Sequence, residues 1–161
     1  PEPLAEAAQE LGAEAVGANL ADTDECVRAV AAHAERFGGM DVLVNCAGIG
    51  IGGSFAEQET KKIELQLDVN LRATLVITRE SLPLLRETRG QIITLASIAG
   101  TIPTPGLAVY GTTKAALIAW TSSLRIPGSL MLWPASGTIT SFELGQRLCS
   151  AHALAAGHTT S

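Results

Sequence analysis

Tyr110 and Lys114 are the residues whose chemistry the sequence announces most directly. Tyr110 is the only tyrosine in the 161-residue chain, and Lys114 is one of only three lysines. Residues four apart project from the same side of a helix. An ammonium group beside a phenol stabilises the phenolate. A phenol tuned in this way can give or take a proton at a carbonyl or alcohol oxygen. Alone, Tyr-x-x-x-Lys is a weak signal, because structural pairs of this kind are common. Three other places add to it. Ser97 closes the segment "IITLAS", and α/β folds collect ligands at the carboxyl ends of strands. Its hydroxyl would bond a substrate oxygen; its plainer role is a turn residue before "IAG". Asn70 lies within a helical run, where asparagine is a poor helix former; its plainer role is a solvent-facing polar group. Asn45, Ala47 and Gly48 belong to "NCAG", whose small residues suit a backbone that must come close to a ligand. The plainer reading there is an ordinary tight turn.

These residues need elements to position them. Apolar spacing in "EPLAEAAQELG" predicts a helix stopped by Gly12. "AEAVGANL" is expected to be a short buried strand. "DTDECVRAVAAHAERFGG" is an amphipathic helix, with Asp22 or Thr23 as its cap and Gly38 and Gly39 at its end. "MDVLVNCAG" has the form of a parallel strand buried on both faces. A long helical region follows, from about Phe55 to Arg86, with Pro83 expected to bend or end it. "GQIITLAS" is a second buried strand, and a last helix from about Leu107 to Leu124 carries Tyr110 and Lys114. Alternating strands and helices imply a parallel sheet covered on both sides. The pattern fails after Ile126. There the sequence offers one possible strand, "SLMLW", a short helix near Glu143 and a loose tail.

Bulk properties exclude several classes. With 47% hydrophobic and 17% charged residues, the chain is a globular domain and not a disordered one. A net charge of -5 without a basic run argues against nucleic acid as a partner. No apolar stretch approaches the roughly 20 residues of a membrane helix, so no membrane partner is expected. The start, "PEPLAEAAQEL", is unlike a signal peptide and lacks an initiator methionine, as expected for a stretch within something longer. Cys26, Cys46 and Cys149 are odd in number and lack metal-ligand spacing. Free thiols in a reducing cytoplasm are the expectation, and no metal site is expected. Asp22, Asp24 and Glu25 are helix-start acids favourable to the dipole. His33 is a surface or boundary residue, His152 and His158 fall in the tail, and Trp120 and Trp133 are packing residues.

Taken together, "NCAG", Asn70, Ser97, Tyr110 and Lys114 resemble the classical short-chain dehydrogenase/reductase family. "NCAG" resembles that family's Asn-Asn-Ala-Gly motif, with Cys46 in place of the second asparagine. The other four fall on its catalytic tetrad in order, with gaps of 27 residues from Asn70 to Ser97 (97 minus 70) and 13 from Ser97 to Tyr110 (110 minus 97). The similarity covers about residues 1–126. It implies an incomplete domain over 1–126 and a divergent segment over 127–161. The implied fold is α/β: a partial Rossmann-like, doubly wound parallel sheet lacking the first βαβ unit. The implied reaction is hydride transfer between NAD or NADP and a small carbonyl or alcohol substrate. In that reading Tyr110 is the general acid/base, Lys114 stabilises its phenolate form and holds the nicotinamide ribose, Ser97 orients the substrate oxygen, and Asn70 shapes the helix and supports a water-linked proton path. Asn45, Ala47 and Gly48 line the adenosine side. Asn19 stands where the family usually has an aspartate near the adenine, with Leu20 beside it. The helices bearing Asn70 and Tyr110 would form a homo-oligomer contact.

The resemblance has gaps. The family's glycine-rich Thr-Gly-x-x-x-Gly-x-Gly turn, which places a pyrophosphate on a helix N-terminus, does not occur in the sequence. "GIGIGG" (48–53) matches G-x-G-x-x-G, with Asp68 20 residues after Gly48. That fingerprint would require Asp68 to end a strand, whereas "LQLDVNLRATLVITRE" is helical in period. After Lys114 the family's later strand and Pro-Gly loop have only a loose counterpart in "WPASGT". The expected function is therefore a nicotinamide-dependent oxidoreductase. The first alternative is a catalytically silent remnant acting as an oligomerising or binding module. A nucleotide-sugar epimerase also uses Tyr-x-x-x-Lys, but "NCAG" and the short gap from Ser97 favour the dehydrogenase branch. The choice between NAD and NADP and the substrate's identity are not encoded in these residues.

Overall fold

The computed structural model describes residues 2–124. The expected strand "SLMLW", the helix near Glu143, the loop "WPASGT" and the segment 127–161 lie outside the described residues. Helix α1 (Glu2–Leu11) ends at Gly12, whose φ of 62° lets Ala13 donate back to the Ala8 carbonyl at 2.8 Å. Helix α2 (Thr23–Phe37) starts from Asp22, whose carboxylate accepts from the Asp24 and Glu25 amides at 2.8 and 3.2 Å. It ends at Gly38, which is left-handed at φ 75°. Strand β1 (Val42–Asn45) then leads through the 48–53 loop and a short 3-10 turn, Phe55–Glu57, to α3 (Thr60–Leu67). Helix α3 runs without interruption through a π-helical turn, Asp68–Arg72, into α4 (Ala73–Thr88). Strand β2 (Gln91–Thr94), a 3-10 turn at Ile98–Gly100 and α5 (Ala108–Ser123) complete the order.

The two strands pair in parallel, Val42 with Gln91 through Asn45 with Thr94. The junction between α4 and β2 sets this register. Thr88 donates its hydroxyl to the Met40 carbonyl at 2.6 Å, and the Gln91 amide donates to the Asp41 carbonyl at 2.8 Å. Gly90 sits between them, and a Cβ there would stand 2.5 Å from the Met40 oxygen and 2.7 Å from the Asp41 oxygen. Only glycine allows so close an approach.

Helix α4 covers the sheet face that carries Leu43 and Asn45, and α2 packs along α4. Cys26 and Val30 from α2, Met40 and Cys46 flanking β1, Ala73 and Leu85 from α4, and Val109 and Leu117 from α5 are the buried apolar side chains among the described residues. Pro83 stays inside α4, which continues to Thr88, so it does not end the helix.

Two expectations are corrected. The segment "AEAVGANL" is not a strand and is largely exposed, Val16 at 47%. A strand exists only through a partner, and β1 and β2 pair with each other alone among the described residues. Nor is β1 buried on both faces: Val42 is 49% and Val44 38% exposed, so the sheet face they share is open. The architecture is α/β with a small parallel sheet, a partial Rossmann fold.

Candidate active site

The π-helical turn is where the site begins. The Ala73 amide bonds back five residues to the Asp68 carbonyl, a wider turn than an α-helix makes. Asn70 lies inside this turn and is fully buried. It is therefore not the solvent-facing residue of the plainer reading. Its Oδ1 accepts from the Ile49 amide at 2.7 Å, and its Nδ2 donates to the Ile49 carbonyl at 2.8 Å and to Thr113 Oγ1 at 3.1 Å. The Asn70 carbonyl accepts from the Thr74 hydroxyl at 3.2 Å. Asn70 thus joins the loop after β1 to helix α5. Asp68 is helical, which removes the strand end that the "GIGIGG" fingerprint would need.

Helix α5 supplies the next two groups. Lys114 Nζ lies 5.7 Å from the centroid of the Tyr110 ring, so the two do share a helix face. Lys114 is only 4% exposed, and Nζ donates to the Leu95 carbonyl at 2.9 Å. Leu95 follows β2 directly, and its amide donates to the Asn45 carbonyl. The ammonium is therefore anchored at the carboxyl edge of the sheet. A Cβ at Gly48 would stand 3.3 Å from Asn70 Oδ1 and 3.4 Å from Lys114 Nζ. Gly48, Asn70 and Lys114 therefore meet at one point, where Gly48 is exposed and the two side chains are buried. Tyr110 is half-buried, and its ring lies against Gly50, where a Cβ would be 3.5 Å from Tyr110 Cδ2.

Ser97 is half-buried, and its Oγ accepts from the Ala99 amide at 3.2 Å, capping the Ile98–Gly100 turn. That turn is pressed onto α5. A Cβ at Gly100 would be 2.8 Å from the Ala115 nitrogen, and one at Gly111 would be 2.8 Å from the Ala99 oxygen. These glycines hold the Ser97 turn against the residues flanking Tyr110 and Lys114.

The remaining expected residues are less central. The Asn45 side chain donates to Thr78 Oγ1 at 3.1 Å and Thr94 Oγ1 at 3.5 Å, tying β1 to α4 and β2. Ala47 is half-buried beside it. Asn19 is exposed; its Oδ1 accepts from the Ala21 amide at 3.1 Å, and its own amide donates to Glu25 Oε2 at 2.6 Å. Leu20 is half-buried, and its carbonyl takes the Cys26 thiol at 3.6 Å. This segment joins the rest through Arg72, which donates to the Ala21 carbonyl at 2.6 Å and pairs with Asp68 at 3.0 Å.

Sequence reasoning missed Thr113 and Gln66. Thr113 is fully buried, and its hydroxyl donates to the Tyr110 carbonyl at 2.7 Å while accepting from Asn70. Its signal was a hydroxyl three residues after Tyr110 on the same helix. Gln66 is also fully buried, four residues before Asn70, a polar group at a core-facing step. Among the described residues no group of acidic, histidine and cysteine side chains could hold a metal ion, and no helix is long and apolar enough to cross a membrane.

A family model described as short chain dehydrogenase matches residues 1–128. An uncharacterized oxidoreductase of Staphylococcus epidermidis is 39% identical over 128 residues, covering 76% of this chain and 54% of that protein. A 3-oxoacyl-(acyl-carrier-protein) reductase of Staphylococcus aureus is 36% identical over 110 residues, covering 68% of this chain and 45% of that one. Among solved structures, a short chain dehydrogenase from Burkholderia cenocepacia in complex with NADP matches at TM-score 0.66 and 39% identity, over 72% of this chain and 48% of that one. An NADH-dependent reductase, A1-R', complexed with NAD matches at TM-score 0.64 and 31% identity, over 67% and 48%. The chain spans about half the length of the relatives it matches.

Proposed function

The chain belongs to the short-chain dehydrogenase family, and from that premise we propose that it acts as an NAD(P)-dependent oxidoreductase on a small carbonyl or alcohol. The observation that carries this reading is the meeting of Gly48, Asn70 and the buried Lys114 ammonium beside Tyr110. The donor set fits the nicotinamide-ribose end of such a cofactor: a cation at the strands' carboxyl edge, reached past a glycine that has no side chain to block it. When bound, the cofactor would supply the hydride or accept it. Lys114 would bond the ribose hydroxyls beside the Tyr110 ring. Tyr110 would move the proton at the substrate oxygen, Ser97 would orient that oxygen, and Asn70 would hold the loop and the proton path. Asn45, Ala47, Gly48, Asn19 and Leu20 remain the further proposed cofactor-binding residues. The reducing cytoplasm, where the buried Cys26 and Cys46 would stay reduced, is part of the same proposal.

Fluorescence titration of the chain with NADH and NADPH tests the reading. Saturable binding in the micromolar range is expected. Tyr110→Phe should abolish carbonyl reduction while leaving cofactor affinity nearly unchanged. Activity that survives this change would remove Tyr110 from the proton-transfer role.

A second reading has its own support. One face of the two-stranded sheet is open among the described residues. A silent module that binds a partner through that face, or oligomerises through the helices bearing Asn70 and Tyr110, is this second reading. No cofactor binding up to millimolar concentration, with a dimer seen by light scattering, would favour it.

A further inference from the structure

The loop "GIGIGG" (48–53) is held from the side by amide side chains of one helical run and of Gln58 just before it. Asn70 bonds both backbone groups of Ile49, at 2.7 and 2.8 Å. Two residues on, the Ile51 amide donates to Gln66 Oε1 at 3.0 Å, and the Ile51 carbonyl accepts from Gln58 Nε2 at 2.9 Å. Gln66 and Asn70 are four residues apart on the continuous helix, a rise of about 6 Å. Two residues of extended chain advance about 6.6 Å. The helix side chains therefore match the backbone spacing of the loop and act in place of a neighbouring strand.

Between the two clamped isoleucines lies Gly50, the residue on which the Tyr110 ring rests. Beyond them the Gly53 amide donates to the Gly106 carbonyl at 2.9 Å, closing the loop onto the segment that enters α5. Gln66 is fully buried, and its Nε2 donates to the Lys62 carbonyl at 3.2 Å. An apolar side chain would pack this core position equally well. The amide is required only because Ile51 needs a partner. We infer that Gln66 is a positioning residue: by bonding the Ile51 amide it fixes the 48–53 loop as the surface that sets the Tyr110 ring. Its functional meaning rests on the proposed role of Tyr110.

Tyr110 is the only tyrosine, so 3-fluorotyrosine labelling of the chain gives one fluorine resonance at that ring. Gln66→Met keeps the volume and removes the acceptor. Amide exchange at Ile51 should rise about tenfold or more, that of Leu95 in the strand ladder should hold, and the fluorine resonance should move. Gln66→Glu supplies the rescue. A carboxyl oxygen accepts from the Ile51 amide whether protonated or ionised, so Ile51 exchange in this variant should stay close to that of the unsubstituted chain. Unchanged Ile51 exchange in Gln66→Met, or an unmoved fluorine resonance, overturns the inference. Should Gln66→Met fail to fold, Gln66→Ala takes its place with the same two readings, and Ile51 exchange as slow as in the unsubstituted chain overturns it too. No cofactor enters these measurements, so a chain that does not bind NADH leaves the test intact.

Discussion

Asn70 makes the clearest case at the scale of single residues. A buried amide must satisfy all its polar atoms or lose about 1–3 kcal/mol, and Asn70 does so through Ile49 and Thr113. Thr113 passes the connection to the Tyr110 carbonyl, so one hydroxyl couples the loop after β1 to the turn of α5 that carries the phenol. Thr113→Val keeps the shape and removes both bonds. It should cost about 1–2 kcal/mol in denaturant unfolding, with a larger loss in any carbonyl reduction than in cofactor affinity. A substitution that is silent in both would remove Thr113 from the network. The Tyr110–Lys114 pair was legible in the sequence because four residues of helix bring two side chains together without help from the rest of the chain. Thr113 was not, since its partner lies 43 residues away.

Helices were legible for a similar reason. Asp22 and Gly38 mark the ends of α2 through bonds made within a few residues. The π-helical turn was not visible, because its cause is tertiary: it seats Asn70 at the loop and at Thr113. The strand expected in "AEAVGANL" failed because strand propensity has no local hydrogen bonds to rest on. The contact between the Ile98–Gly100 turn and α5 also belongs to this scale. A Cβ at Gly100 would meet two backbone atoms of α5 at 2.8 Å, neither of which is a flexible tip. Gly100→Ala should therefore cost about 1–3 kcal/mol and displace Ser97 from the residues around Tyr110. Gly17→Ala, whose Cβ would find only Leu4 Cδ2 at 3.8 Å, is the matched control and should stay within about 0.5 kcal/mol. Equal unfolding midpoints for the two variants would contradict the close-approach account.

At the scale of the whole molecule, the interior is as polar as it is apolar among the described residues. Gln66, Asn70, Thr74, Thr78 and Ser81 are buried in succession along α3, the π turn and α4. The apolar remainder includes Cys26, where burial pushes the thiol above its ordinary range and the Arg72 guanidinium partly offsets this. In the unfolded chain the thiol ionises from about pH 8.5; in the folded chain it keeps its proton to higher pH. The folded state then binds more protons, so stability is unaffected below that point and falls as pH rises through it. Cys26→Ala should flatten the decline that begins above about pH 8.5; an unchanged slope would show that the thiol titrates normally. By itself the sequence determined α1, α2 and α5 with their ends, the segments of the two strands and the residue types of the candidate site. All of these follow from periodicity, capping and turn chemistry, which act over a few residues. Only the tertiary structure decided that Asn70 and Lys114 meet at Gly48, that Gln66 and Gln58 hold Ile51, and that one face of the sheet stays open. Those outcomes depend on which distant segments share a hydrogen bond or cover a surface, and spacing along the chain does not encode that.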